Sequence, residues 1–424
     1  MTSQLQRFGT IETRAGMANA MLCVDADRPG EMMLHFYGGH VESGAVLAEC
    51  KRTGNAIDLI PLLLYRSDGN GGGLVLPTLD DEEVKAMATT KARLVETGDS
   101  LIGEWADSDG HAGQIEFSEP DGIRSVKATS CRSWSEFKDW ASRVRAEHDA
   151  FTFRGHGSNR FSLSTTFHRA GRHRIERYCA QELPTFKNHA EAVLGTRFDL
   201  RDGEDFSTVL GLAQHHGLPT PLLDWTDSPY VAAFFAFSDA LEAARGSEHT
   251  HVRIYGLTRQ FVNKTSFPVV TLPTAAPYVA SLAISARQNA RLYAQQGRFL
   301  VTNVATVEDH IRRLETADKS SYPFAADVPV HLANQALEDL AYMGLTAAAM
   351  FPGLDGVCRM MRHKMSFATQ SVKAPGYPDG ALNEPRPAPL PSKAEPTSAS
   401  APKRRRRASS GAQPADIPNQ APPK

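Results

Sequence analysis

Residues 213–237, AQHHGLPTPLLDWTDSPYVAAFFAF, place two adjacent histidines, two prolines, an Asp-Trp pair and a long apolar run in one short segment. Before this segment, Asp205 or Ser207 is suited to cap a helix, because a short polar side chain accepts a bond from a free backbone N–H. Gly217 is suited to end that helix, since glycine adopts the left-handed conformation without strain. The pattern therefore predicts a helix that stops just after the histidine pair.

The second half of the segment predicts a strand followed by a buried helix. Pro219 and Pro221 exclude a helix and favour an extended path through residues 222–223. Ser228 is a strong N-cap, and Pro229 is favoured at the first helical position. The residues that follow are apolar on nearly every face of the expected helix, so we expect the start of this helix to be buried.

Polar side chains collect around the two turns of this segment, and each has a structural interpretation beside a functional one. The residues are Gln214, His215, His216, Asp224, Trp225, Thr226 and Ser228. Trp225 is also a core candidate, and Asp224, Thr226 and Ser228 are also capping candidates. Consecutive helical histidines lie about 100° apart, so both cannot face one metal ion, and no metal site is predicted.

Upstream, a helix and a short strand precede this segment. In SWSEFKDWASRVRAEHD the apolar residues recur at helical spacing, with Ser133 or Ser135 as the cap. The run FTFRGHG that follows is aromatic and β-branched and breaks at glycine, which favours a strand. Helices and strands then alternate to about residue 365, so residues 131–365 are predicted to form a mixed α+β domain.

Residues 1–127 are predicted to form a separate antiparallel β sandwich or barrel. Short apolar runs are divided there by Gly and Asp clusters. The clearest hairpin signal is LIGEWADSDGHAGQIEFSE, in which two alternating runs are joined through Asp109 and Gly110. The predicted fold class is therefore α+β, with a β domain before the mixed domain.

Composition limits the classes of partner and compartment. The formal net charge is −2, but residues 371–424 carry nine Lys/Arg and four Asp/Glu, so the rest of the chain is acidic. An acidic body argues against extensive nucleic-acid binding. Five scattered cysteines without a Cys-x-x-Cys pattern, together with the lack of a long apolar run or a leader-like start, favour a cytoplasmic protein without membrane contact.

Residues 371–424 are predicted to be a disordered tail. They hold twelve of the 26 prolines of the chain, and such a segment buries too little apolar surface to offset its chain entropy. The basic run Lys403–Arg407 is interpreted as solvated, with weak nucleic-acid contact as the alternative. A second basic run, His168-Arg169-Arg172-His173-Arg174, is interpreted as a solvated face, with phosphate or nucleic-acid contact as the alternative.

Four ordered blocks in residues 131–362 resemble the FRG domain, a bacterial and phage-associated family named for a Phe/Tyr-Arg-Gly motif. They are FTFRGHGSNRFSLSTTFHRAG (151–171), the segment 213–237, RLYAQQGRFLV (291–301) and LAYMGLTAAAMFPGLDGVCRMMR (340–362). One departure is Pro221, where the family often has arginine. If that arginine contacts a ligand in the family, this chain lacks the contact.

The order of the elements is also similar, more weakly, to ADP-ribosyltransferase scaffolds of the arginine-serine-glutamate type. That similarity implies NAD as the cofactor, Arg154 as its phosphate or ribose contact, and Thr226 or Ser228 at the nicotinamide pocket. Gln296 stands where such enzymes carry a glutamate. Because an amide stabilises developing positive charge far less than a carboxylate, Asp224 is the alternative source of charge.

Two functions follow as hypotheses. The first is an ADP-ribosyltransferase-like effector with a toxin or defence role, which uses NAD and modifies an unidentified macromolecular acceptor. Its catalytic residues are Arg154, Asp224 and Gln296, and its ligand-binding residues are Gly155, Arg169, Gln214, His215, His216, Trp225, Thr226, Ser228 and Gln295. The second is a non-catalytic module that binds a nucleotide or a peptide. Structural alternatives stay open for Arg154, which is also suited to pair with Asp224 or Asp355, and for Gln295 and Gln296.

Overall fold

An antiparallel β-barrel forms the N-terminal part of the protein in a computed structural model, which describes residues 5–68, 73–118, 126–243, 249–265, 272–282 and 293–371. Eight strands close the barrel, because β4 pairs with β5 as well as with β3. Its elements are β1 (Gln6–Thr13), β2 (Gly16–Val24), β3 (Glu31–Tyr37), β4 (Gly44–Thr53), β5 (Ala56–Ser67), the short β6 (Leu74–Val75), α1 (Asp81–Thr89), β7 (Lys91–Thr97), β8 (Ser100–Ala106) and β9 (Ala112–Ser118).

A mixed sheet with helices follows the barrel. Its strands are β10 (Ala128–Ser130), β11 (Ala150–His156), β12 (Leu222–Thr226), β13 (His251–Thr258), β14 (Val279–Leu282), β15 (Gly297–Thr302) and β16 (Pro323–Pro329). Its helices are α2 (Trp134–His148), α3 (Thr166–Arg169), α4 (Ile175–Arg177), a π-helical turn (Tyr178–Glu182), α5 (Leu183–Leu194), α6 (Gly203–His215), α7 (Pro229–Ala243), α8 (Arg259–Lys264), α9 (Val307–Asp318), a 3-10 turn (Val330–Leu332), α10 (Ala333–Tyr342), α11 (Ala347–Met350) and α12 (Leu354–Ser371).

The sheet of this second part has the strand order β10-β16-β13-β11-β12-β15-β14. All its pairings are antiparallel except that of β10 with β16. Helices α2, α7 and α10 pack with Phe153 of β11 into one apolar core, and α6 packs with the β12–β15–β14 side of the sheet into another. The α+β class and the N-terminal β domain are confirmed, and that domain is a barrel.

Several local predictions from the sequence are confirmed. The hairpin pairs Leu101 with Phe117, and Gly110 in its turn has a φ of 85°. Ser133 caps α2 by accepting a bond from the Glu136 backbone N–H. The buried helix begins at Pro229 as expected, with the Ser228 hydroxyl accepting a bond from the Val231 N–H at 3.4 Å.

The helix before the histidine pair begins earlier than the sequence indicated. Asp202 is its N-cap and accepts bonds from the backbone N–H groups of Glu204 and Asp205. The expected caps, Asp205 and Ser207, lie inside the helix. Three polar residues compete for one cap in this segment, and Asp202 takes it because its side chain reaches two free donors at once.

The interpretation of the basic run at 168–174 as a solvated face is wrong, because most of the run is buried against the barrel. His168, His173 and Arg174 are each less than 8% exposed. Arg174 forms ion pairs with Glu31 of the barrel and with Glu176, while burial lowers the pKa of His173 to about 4. A neutral histidine and a paired arginine are the forms that a buried site tolerates.

Barrel residues also bind the neighbouring helical segment. Arg177 donates to both carboxylate oxygens of Asp27 at 2.8 and 3.0 Å, and to Asp25 at 2.8 Å. Asp25 in turn accepts the backbone N–H of His173 at 2.7 Å. These bonds lower the pKa of Asp27. The barrel therefore meets the second part of the chain through a hydrogen-bonded ionic network.

The boundaries at 127, 131 and 365 stay predictions. The tail 371–424 and its basic run Lys403–Arg407 lie outside the described residues, apart from Ser371. No helix in the described part of the chain is long and apolar enough to cross a membrane.

Candidate functional site

Strand β11 carries the Phe-Arg-Gly motif at the centre of the second sheet. Phe153 is fully buried in the core beneath α7, and the neighbouring Arg154 is half-buried. Gly155 is required by packing, because a Cβ at this position would lie 1.9 Å from the Ala232 carbonyl oxygen of α7. The three residues thus supply a core anchor, a charged group and a close approach between strand and helix.

A cavity of about 250 Å³ opens beside this motif. Its walls come from β11, α6, β12 and α7, together with Gln295, Phe299 and Phe351. Eight of the residues predicted from the sequence line it: Arg154, Gly155, Gln214, His215, Asp224, Trp225, Thr226 and Gln295. The fold therefore brings a strand motif at 153–155 and a turn region at 214–226 to the same opening.

Arg154 is fixed by two hydrogen bonds from its guanidinium. Nε donates to Nε2 of His156 at 3.1 Å, and Nη1 donates to the backbone carbonyl of Asp224. His156 accepts this bond as a neutral ring, since burial and the nearby Arg154 charge lower its pKa to about 3. These two bonds use two of the five guanidinium N–H donors.

Charge around Arg154 is balanced by carboxylates on the cavity wall. Burial lowers the pKa of the Arg154 guanidinium, while Asp224 and Asp239 act in the opposite direction. Asp224 is exposed and accepts a bond from Nε2 of Gln214 at 2.8 Å. Gln214 is held in turn by the Thr220 hydroxyl. The cavity thus presents an oriented cation with carboxylates beside it.

The two glutamines before β15 have different positions. Gln295 lines the cavity, and its side-chain amide donates to the Met350 carbonyl at 3.0 Å. Gln296 has a φ of 48°, and its backbone carbonyl accepts the Asp227 N–H at 3.1 Å. Gln296 is not among the lining residues of the cavity, so the structure connects it to the turn through its backbone.

Three other predicted residues also stand apart from the cavity lining. Ser228 caps α7, and the exposed His216 ends α6. Arg169 is exposed at the end of α3, where it donates to the Ser164 carbonyl. It still lies close enough to Arg154 to lower the pKa of that residue through charge repulsion.

Two of the lining residues serve the fold as well. Trp225 is 3% exposed and packs in a core cluster. The Thr226 hydroxyl donates to the Gln295 carbonyl at 2.8 Å and accepts the Ser228 N–H at 3.2 Å. Thr226 therefore joins the β12 turn to the start of β15, so the structural interpretation accounts for its hydroxyl.

Asp239 is a cavity residue that the sequence analysis missed. It lies on α7, and its burial together with the nearby charge of Glu242 raises the pKa of its carboxyl to about 6. Ala232, Phe235 and Asp239 all line the cavity and are spaced by three and four residues, which places them on one helical face. That spacing can be read from the sequence, but it indicates a cavity wall only when the position of Arg154 is known.

Aromatic rings also line the cavity. Phe235 and Phe351 meet edge to face with ring centroids 5.8 Å apart, and Phe299 contributes from β15. The guanidinium of Arg359 lies over the Phe351 ring at 4.3 Å. The cavity therefore combines aromatic side chains with a cation and two carboxylates.

The histidine pair faces the cavity through one member only. His215 lines the cavity, and its ring lies 4.8 Å from that of His216 in an edge-to-face arrangement. Within the part of the chain that the structure describes, no group of three or more His, Cys, Asp or Glu side chains is placed to hold a metal ion.

Comparison with known proteins identifies one domain within the chain. Residues 149–245 match the model of the FRG domain. The match covers β11, the cavity residues of α6 and β12, and α7, which are the first two of the four resembling blocks. No curated protein and no solved structure matches the chain. The weaker similarity to ADP-ribosyltransferase scaffolds gains no support from these comparisons and stays a hypothesis. Residues 149–245, which carry Arg154 and most of the residues that line its cavity, are an FRG domain.

Proposed function

We propose that the cavity beside Arg154 binds one end of NAD and that the protein is an ADP-ribosyltransferase-like enzyme. The observation that carries this proposal is a half-buried arginine, held by His156 and the Asp224 carbonyl, on a wall shared with two carboxylates. A fixed guanidinium matches the geometry of phosphate oxygens. A planar nicotinamide ring is suited to the aromatic wall formed with Phe235 and Phe351.

The size of the cavity defines which part of NAD it takes. Its volume of about 250 Å³ is below the roughly 300–1,000 Å³ of sites that enclose a drug-sized ligand. The nicotinamide riboside end and the adjoining phosphate would occupy the cavity, and the adenosine end would lie outside. Arg169, exposed near the opening, is suited to contact the outer phosphate.

The reaction would break the bond between the ribose C1′ and the nicotinamide nitrogen. The bonding electron pair leaves with nicotinamide, and positive charge develops on the ribose. Asp224 would stabilise this charge, because a carboxylate that is already oriented beside the ribose acts on a charged transition state without having to reorganise. An acceptor nucleophile then bonds to C1′ and gives its proton to a base.

Asp239 is suited to the role of that base. A general base works best when its pKa lies near the working pH, and the pKa of Asp239 is raised to about 6. Asp239 and Asp224 would then divide two tasks, proton transfer and charge stabilisation. This division removes the need for a glutamate at Gln296.

Release of labelled nicotinamide from NAD, with protein and nucleic-acid acceptors present, tests the proposal. Arg154→Gln and Asp224→Asn are each expected to slow release by about 100-fold or more. Arg259→Gln is the matched control, because Arg259 forms an exposed ion pair with Asp149 outside the cavity. Absence of turnover with every acceptor, or equal rates in wild type and Arg154→Gln, would contradict the enzyme proposal.

A second candidate function is nucleotide binding without chemistry. The observation that favours it is the pair Gln295 and Gln296, which puts amides where a transferase of this type carries a carboxylate. The Gln295 amide is also committed to the Met350 carbonyl. Thermal stabilisation by NAD without nicotinamide release would support this candidate over the enzyme.

A toxin or defence role is the cellular counterpart of the enzyme proposal. An enzyme that modifies an essential macromolecule, or that consumes NAD, would arrest growth of the cell that expresses it. Induced expression of the wild-type protein is therefore expected to slow growth, and Arg154→Gln is expected to relieve the effect. Equal growth arrest by both proteins would argue against a role for the cavity.

A further inference from the structure

A small cavity of about 10 Å³ lies where the barrel meets the second part of the chain. Strands β2, β3 and β6 form its barrel side. The other side is formed by the segment that carries His173 and Glu176, by residues 273–274 and by Asn303. A cavity that holds one water molecule has a volume of at least about 10 Å³. The space therefore admits a single small ligand and nothing larger.

Three residues that line this cavity carry a buried polar atom without a hydrogen-bond partner in the part of the chain that the structure describes. The atoms are His35 Nδ1, His173 Nδ1 and Glu176 Oε2. The three residues are only 5–7% exposed, so bulk solvent does not satisfy them. Buried polar atoms in native proteins are nearly always hydrogen-bonded, either to protein or to ordered water. Three such atoms around one cavity indicate a polar ligand.

The chemistry of these atoms defines what the ligand must do. Glu176 uses its other carboxylate oxygen to accept from Arg174 Nε at 2.7 Å, so Oε2 still needs a donor. Burial lowers the pKa of His35 and that of His173 to about 4, so both rings are neutral at neutral pH. A ring nitrogen of a neutral imidazole either donates or accepts, according to its tautomer. The ligand must therefore donate to a carboxylate and adapt to two imidazoles.

Ions of either sign are unsuited to this cavity. An anion would lie against the Glu176 carboxylate. A cation would lie near Arg174, whose charge is already close enough to lower the pKa of His35. Among the described residues, no group of three His, Cys, Asp or Glu side chains is arranged to hold a metal ion.

We propose that the cavity binds one water molecule, which donates to Glu176 Oε2 and bonds to Nδ1 of both His35 and His173. A buried water typically makes about three hydrogen bonds to groups that otherwise lack a partner. Water both donates and accepts, so it pairs with each imidazole in either tautomer. It carries no charge, so it adds no ion to a buried site.

The water would be one of several links between the barrel and the second part of the chain. The backbone N–H of Leu74 donates to the Pro273 carbonyl at 2.8 Å. The buried Gln6 side chain donates to the Asn303 carbonyl at 2.7 Å. The water adds a link from His35 of β3 to the segment after α3. It therefore helps to hold the barrel in place against the domain that carries Arg154.

A high-resolution crystal structure of the full chain, with anomalous data at the zinc edge, tests the proposal. We expect one density peak within hydrogen-bonding distance of His35 Nδ1, His173 Nδ1 and Glu176 Oε2, without anomalous signal. A structure in which these atoms pair directly with each other and enclose no peak would overturn the proposal. An anomalous peak in the cavity would overturn it as well, because the ligand would then be a metal ion.

A double-mutant cycle of urea unfolding tests the shared water in solution. His35→Leu and Glu176→Gln each remove a partner of the same molecule, so the second substitution should destabilise less than it does alone. The unfolding constant of the double variant is expected to be about fivefold smaller than the product of the single effects predicts. Met21→Leu with Glu176→Gln is the matched control, because Met21 lines the same cavity with an apolar side chain. Additive effects of His35→Leu and Glu176→Gln, or equal coupling in both pairs, would contradict a shared water.

Discussion

Replacement of Gly155 by alanine tests the packing that holds the cavity together. The added Cβ would lie 1.9 Å from the Ala232 carbonyl oxygen and 2.9 Å from the Ala236 Cβ, both on α7. The nearest atom belongs to the backbone, so no side-chain rotation relieves the clash. Helix α7 must instead move away from β11 by more than 1 Å, the order of distance needed to restore ordinary van der Waals contact.

The cost follows from that displacement. Overpacking in a well-packed core costs about 1–3 kcal/mol and occasionally more, and a backbone clash between two central elements belongs at the upper end. We expect Gly155→Ala to lose about 3 kcal/mol and, for a compact unit that spans Met1–Lys373, to lower the melting temperature by about 4 °C. Gly30→Ala is the matched control, because a Cβ at Gly30 meets no atom within 4 Å.

Thermal and urea denaturation measure both variants. Because Asp239 and Phe235 lie on the displaced helix, Gly155→Ala is also expected to weaken any ligand that binds beside Arg154. A stability loss in Gly155→Ala no larger than that in Gly30→Ala would refute the packing argument.

Three further substitutions test the effects of side-chain charge and of backbone conformation on stability. The pKa of Asp239 is raised in the folded protein, so the free energy of unfolding falls as pH rises from about 4 through about 6. Asp239→Asn should flatten this pH dependence of the urea midpoint and raise the midpoint at pH 7. An unchanged pH profile would contradict the raised pKa of Asp239. Arg177→Ala should cost about 3–5 kcal/mol in urea unfolding, because Asp25 and Asp27 lose a buried partner. Arg201→Ala removes a solvent-exposed pair with Asp199 and should lower stability far less. Equal losses would contradict the ionic network. Gln296→Gly should raise stability by up to about 1 kcal/mol, since glycine adopts positive φ without strain. The same variant should leave nicotinamide release unchanged. Loss of release would instead indicate a catalytic role for the Gln296 side-chain amide.

Local chemistry made much of the fold predictable. Ser228 followed by Pro229 marks a helix start whatever surrounds it, and Gly110 has the positive φ that the Asp109-Gly110 pair favours in a hairpin turn. The strand that carries Arg154 was readable from its aromatic and β-branched residues. These preferences depend on a few neighbouring residues, so they can be predicted without knowledge of the tertiary structure.

Contacts between distant segments were not predictable in the same way. The run at 168–174 has the composition of a solvated face, and only the acidic β2–β3 turn of the barrel turns it into an interface. Asp239 resembles any polar residue on an amphipathic helix until β11 brings Arg154 to the same cavity. The helix cap at Asp202 was missed because three candidate caps compete in one segment.

A crystal structure of the protein with NAD tests the central claim most directly. The account predicts density for a nicotinamide riboside phosphate in the cavity, with phosphate oxygens within hydrogen-bond distance of the Arg154 guanidinium and the ring against Phe235 or Phe351. An empty cavity at saturating NAD, or NAD bound on another surface, would contradict it.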